Sequence, residues 1–145
     1  MSKDPYADFS TDEEAISRGI EIDYGSFRVR VALVDESNKP FSKMKALLFK
    51  PLQHKIETKT IRDEEVMEVL QETFAAKGVL SWETENDDGN FVPGIRLLDG
   101  TIAEASKANI MAVFAARERV FKDLYKQASD YTLFRKAELD EERKN

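Results

Sequence analysis

The chain has 145 residues, a formal net charge of -6 and no cysteine. This length is enough for one domain that buries roughly 68% of its unfolded surface. The lack of cysteine excludes disulfides, cysteine-ligated metals and thiol nucleophiles, and it fits a reducing compartment. No apolar run approaches the ~20 residues that span a bilayer, so we expect neither export nor membrane insertion. The acidic composition makes nucleic acid the least favoured partner.

The first predicted element is a β-hairpin that follows an acidic lead-in. Residues 1–14 carry five carboxylates and few large apolar anchors, which is typical of a flexible segment. From Ile20 to Val31, apolar and charged residues alternate, and the alternation shifts by one residue at Gly25-Ser26. A two-residue loop at that point brings matching residues together on both faces of the hairpin. The predicted pairs are Tyr24–Phe27, Ile22–Val29 and Ile20–Val31 on one face, and Asp23–Arg28 and Glu21–Arg30 on the other.

Two helices are predicted next. Apolar residues from Asn38 to Lys50 lie close to helical spacing, and Pro51 is expected to end that helix. Thr60-Ile-Arg-Asp63 has the spacing of a capping box and predicts the start of a second helix, which ends at Gly78. The apolar stripe of this helix consists of Val66, Val69, Leu70 and Phe74.

The C-terminal half is predicted to be a polar loop followed by helices. Residues 83–90 indicate an exposed loop with a turn at Asp88-Gly89. Thr101-Ile-Ala-Glu104 has capping-box spacing and predicts a helix that continues to Ala128, either unbroken or as two helices. Ser129-Asp130 can break it before a last amphipathic segment.

These elements predict an α+β fold, a helix-dominated bundle with an N-terminal antiparallel β-hairpin. Residues 15–139 are expected to form one domain, and the charged tail at 140–145 is expected to fray.

The chain lacks the residue patterns of common catalytic sites. His54 is the one histidine and lies in a basic stretch, which favours a structural or solvent-exposed role. No glycine-rich phosphate-binding motif occurs. Aligning Gly89 with the sixth position of a calcium-binding loop places Thr84 first and Ile95 twelfth, where carboxylates are required. We therefore predict no catalytic, cofactor-binding or metal-binding residue, and no enzyme activity.

Two surfaces are candidates for protein contacts. Segment 39–62 carries seven basic residues and one acidic residue, Glu57. It is expected to contact a nucleic acid, an acidic protein partner, or simply solvent and the chain's own acidic segments. The helical stripe after residue 110 is either core or interface, and its surplus of apolar side chains favours self-association or a partner groove. Its predicted partner-binding residues are Phe114, Phe121, Leu124, Tyr125 and Phe134. Adaptable side chains suited to such a surface are Met44, Met67 and Met111.

The order of several short motifs resembles the tail assembly chaperones of siphovirus-type bacteriophages, over most of residues 15–145. These motifs are the hairpin at Ile20–Leu33, Asn38-Lys-x-Phe41, Lys50-Pro51, Thr60-x-x-Asp63-Glu-Glu, Gly78-Val-Leu-Ser-Trp82-Glu, Ala108-Asn109-Ile, Ala128-Ser-Asp-x-x-x-Phe134-Arg and Lys144-Asn145. The chain departs from the family pattern at Phe91–Gly100.

The resemblance implies a non-catalytic protein of the host cytoplasm. Such chaperones bind the tape measure protein, keep it soluble, help to recruit tail tube subunits and are generally absent from the mature virion. Many are made in two forms, the longer by ribosomal frameshifting, and the resemblance implies that this chain would correspond to the short form. The alternative is a virion structural component, such as a head–tail connector or a tail-completion protein.

Overall fold

The computed structural model describes residues 5–6 and 17–144, so most of the predicted lead-in lies outside the described residues. The predicted hairpin is confirmed: β1 (Ile20–Asp23) pairs with β2 (Phe27–Val31) in the expected register. Gly25 has a φ of 91° at the first loop position, a conformation that side chains other than glycine rarely adopt. Alternation and turn chemistry therefore specify this hairpin locally.

The hairpin belongs to a larger sheet that the sequence did not predict. β3 (Val79–Glu85) pairs with β2, and β4 (Phe91–Pro93) pairs with β3, all antiparallel. The prediction of a loop over residues 83–90 is wrong at its start, because β3 continues to Glu85. Thr84 is buried there, and its hydroxyl donates to the Gly94 carbonyl oxygen at 2.8 Å.

Helix α1 (Lys39–Phe49) begins as predicted, at a buried asparagine. The Asn38 side chain accepts from the Phe41 N–H at 3.1 Å and donates to the Leu33 carbonyl at 2.8 Å. The α-helix ends at Phe49, two residues before Pro51, as predicted. Pro51 lies in the first turn of the 3₁₀ segment Lys50–Leu52, where no N–H donor is needed, and the short helix α2 (Gln53–Glu57) follows.

Helix α3 (Asp63–Thr73) starts later than the predicted capping box at Thr60. The capping residue is Arg62, whose backbone N–H donates to the Glu65 carboxylate at 3.2 Å. A wider π-helical turn extends the helix to Gly78, the predicted end.

The second predicted capping box, Thr101–Glu104, is also wrong. Its central residues form β6 (Ile102–Ala103), which pairs with β5 (Ile95–Arg96) in a separate two-stranded sheet. Helix α4 (Lys107–Ala116) begins later, where the Ser106 hydroxyl accepts a backbone N–H at 3.2 Å. Strand pairing, a non-local interaction, overrides the local capping signal here.

The stripe after residue 110 lies on separate helices. Arg117, with φ -132° and ψ 68°, divides α4 from α5 (Glu118–Ala128). The predicted break at Ser129-Asp130 is confirmed, and α6 (Tyr131–Lys144) follows. Helix α6 includes residues 140–144, the segment predicted to fray.

The helices cover one face of the four-stranded sheet, and the α+β fold class is confirmed. Residues that share the core come from the sheet and from most of the helices, namely Ile22, Val29, Val31, Trp82, Phe41, Phe74, Phe114, Phe121, Leu124 and Phe134. The other face of the sheet is charged. Arg28 forms ion pairs there with Glu83 at 3.2 Å and Glu21 at 3.8 Å, and lies over the Phe91 ring.

Candidate partner-binding groove

The structure places the predicted partner-binding residues mainly in the core. Phe114, Phe121, Leu124 and Phe134 are each at most 3% exposed. Tyr125 is half-buried, and burial raises the pKa of its hydroxyl. In the folded domain the stripe therefore serves as core, and a partner needs a different surface or an opening of the helices.

Aromatic packing explains why the stripe is buried. The Phe114 ring centroid lies 5.2 Å from that of Phe121 and 6.0 Å from that of Phe74, which the π-helical turn presents to the helices. Phe74 also packs edge-on against Tyr125, at 5.5 Å between centroids. Rings in such geometry contribute about 0.5–1.5 kcal/mol per pair beyond their buried area. The stripe is thus the centre of the fold.

An open groove of about 860 Å³ lies between α3 on one side and α4 and α5 on the other. Its floor is apolar and consists of Val66, Met67, Leu70, Met111 and Ala115. Its rim is mainly acidic and carries the exposed residues Asp63, Glu64, Glu68 and Glu118, together with Lys122, and the buried Gln71 also lines the groove. Two of the three methionines that the sequence suggested for an adaptable surface, Met67 and Met111, therefore line this groove. Met44 lies in α1, outside it.

The negative charge at the groove lies mainly on α3. Glu72, near the end of α3, does not line the groove and pairs with Lys107, the first residue of α4, at 3.8 Å. Asp63 and Glu64, in the first turn of α3, line the groove and are exposed. Negative charge is favourable in the first turn of a helix, because the free N–H groups there carry partial positive charge.

The basic segment 39–62 contacts its own acidic helix in part. Lys55 Nζ lies 2.8 Å from a Glu65 carboxylate oxygen, and Arg62 Nε lies 3.3 Å from the other oxygen. The hydrogen bond from Lys55, followed by that from the Arg62 backbone, lowers the pKa of Glu65 to about 2. Of the three interpretations of segment 39–62, contact with the chain's own acidic residues therefore applies to Lys55 and Arg62. Lys39 and Lys43 remain exposed on α1.

The lone histidine and the acidic loop were the remaining candidates for catalysis or metal binding. His54 is exposed on α2. In the acidic loop, the Asn86 side chain accepts the N–H groups of Asp88 and Asn90 at 3.0 and 2.9 Å, which is the pattern of a surface turn. Across residues 5–6 and 17–144, no group of three or more histidine or carboxylate side chains is positioned to hold a metal ion.

No described helix is both long enough and apolar enough to span a membrane.

Sequence reasoning missed the groove as a site, although Met67 and Met111 were a usable signal. Their presence in one groove depends on how α3 packs against α4, which periodicity within each helix does not specify. No protein-family model, curated protein or solved structure matches this chain. The motif order and the groove therefore carry the functional hypothesis.

Proposed function

We propose that this chain is a tail assembly chaperone of a siphovirus-type bacteriophage. It acts without catalysis in the host cytoplasm, binds the tape measure protein, keeps it soluble and helps to recruit tail tube subunits. It leaves before the virion is complete. The order of motifs from Ile20 to Asn145 supports the family, and the groove between α3 and α4 supports the binding role.

The observation that carries this proposal is the groove's apolar floor. Helical partners commonly insert one apolar face into such a groove, with anchors spaced by three, four and seven residues. Met67 and Met111 suit a partner that offers many similar helical segments, because unbranched thioether side chains adapt to different shapes. A chaperone for a long helical protein requires this tolerance, and its acidic charge helps to keep the complex in solution.

Co-expression with the tape measure protein tests the proposal. We expect the tape measure protein to be soluble and to co-purify with the wild-type chain. Met67→Glu should abolish co-purification, because a carboxylate in the apolar floor loses its hydration when a helix covers it. Leu47→Glu is the matched control, since Leu47 is 69% exposed on α1 and lies outside the groove. Circular dichroism must show that both variants are folded.

The outcomes separate the proposal from its alternative. A folded Met67→Glu variant that solubilises the tape measure protein as well as wild type would contradict the groove assignment. Mass spectrometry of purified particles tests the chaperone role itself. Absence from particles is expected, whereas stoichiometric presence would contradict that role and favour a virion structural component.

A further inference from the structure

The charge around the groove indicates which helices it accepts. Asp63, Glu64 and Glu68 are exposed along the α3 rim, and Glu118 faces them from α5. Lys122 is the basic residue of this rim, and its Nζ lies 3.4 Å from Glu118, so these two charges offset each other. The α3 rim therefore carries an excess of negative charge next to an apolar floor.

We infer that the groove binds an amphipathic helix with an apolar face and basic flanks. The inference rests on the proposed role of the groove as the partner site, and it specifies the chemistry of the partner. The apolar face would cover Met67, Leu70 and Met111. Lysine or arginine side chains would lie beside Glu64 and Glu68, since complementary charges across an interface select partners and speed association.

The test uses two synthetic helical peptides with the same apolar face. One has lysine at its flanking positions and the other has glutamate. We expect the basic peptide to bind the full chain roughly fivefold to tenfold more tightly, because several exposed ion pairs, each of modest strength, distinguish the two peptides. Fluorescence anisotropy measures both affinities. The difference should shrink at high salt, which screens exposed charges.

Charge-reversal variants locate the effect. Glu64→Lys combined with Glu68→Lys should remove the preference for the basic peptide. Glu36→Lys combined with Asp35→Lys gives the same change in net charge outside the groove and should keep the preference. Because Asp35 also bonds Ser37, a Glu36→Lys single variant serves as a milder control, and circular dichroism must show that all variants are folded.

The outcomes distinguish this inference from the proposed function. Equal binding of both peptides, or a preference that survives the reversal at Glu64 and Glu68, would overturn the inference and leave the tape measure experiment untouched. Preference for the basic peptide without co-purification of the tape measure protein would support the inference and contradict the proposed partner. Self-association that Glu64→Lys abolishes, with neither peptide binding, would overturn the inference and place a second copy in the groove.

Discussion

Removing the Phe114 side chain tests whether the stripe is core. Phe114 is fully buried, and its ring centroid lies 5.2 Å from Phe121, 6.0 Å from Phe74 and 6.4 Å from Trp82. Phenylalanine-to-alanine changes in cores cost about 3–5 kcal/mol, and three lost ring contacts place Phe114→Ala toward the upper end. Because a domain of this size is stabilised by only about 5–15 kcal/mol, the variant should lose a large part of its stability.

Urea unfolding monitored by Trp82 fluorescence measures this loss. Trp82 is the one tryptophan, is 5% exposed and lies next to the mutated ring, so its emission reports on the same core. The expected loss corresponds to a decrease in Tm of about 6–20 °C. Leu47→Ala, at a position 69% exposed, should change the free energy of unfolding by less than about 0.5 kcal/mol. Equal unfolding midpoints for Phe114→Ala and Leu47→Ala would refute the burial argument.

Three further predictions concern local features. Asn38→Ala should lower the free energy of unfolding in urea by about 2–4 kcal/mol, because it removes a helix cap and leaves the buried Leu33 carbonyl without its donor. Ser106→Ala removes only a cap and should lower it by about 1 kcal/mol. Gly94→Ala should destabilise the fold more than Gly100→Ala in thermal unfolding. Both glycines have positive φ, but a Cβ at Gly94 would lie 2.7 Å from a backbone oxygen, whereas none lies within 4 Å at Gly100. The pKa of Glu65 is lowered from its ordinary value of 4.5 to about 2, so its interactions stabilise the fold fully above about pH 4.5 and are lost as the pH falls toward about 2. Glu65→Gln should therefore reduce the acid sensitivity of the urea midpoint in that pH window.

Each of these predictions has a contrary result. Equal costs for Asn38→Ala and Ser106→Ala would mean that the bond to the Leu33 carbonyl contributes nothing. Equal melting temperatures for the two glycine variants would remove the steric argument at Gly94. An unchanged acid profile for Glu65→Gln would show that the hydrogen bond from Lys55 does not stabilise the folded state.

The sequence identified elements whose signals are local. The hairpin follows from alternation and a glycine turn within Ile20–Val31, and its register is the predicted one. The helix predicted between Asn38 and Lys50 and the break at Ser129-Asp130 also depend on signals within a few residues of the elements concerned. Backbone preferences and side-chain periodicity act over that range, so they are readable without knowledge of the fold.

Only the tertiary structure decided which strands pair, which side chains are buried and which helices meet. Ile102 and Ala103 carry the signal of a helix start, yet they form a strand because Ile95 and Arg96 lie beside them. The position of Phe114 in the helical stripe fits either a core or an interface, and the packing of α4 against the π-helical turn makes it core. The groove likewise exists only where two helices meet. Strand pairing and burial depend on neighbours distant in sequence, and periodicity within one segment does not specify those neighbours.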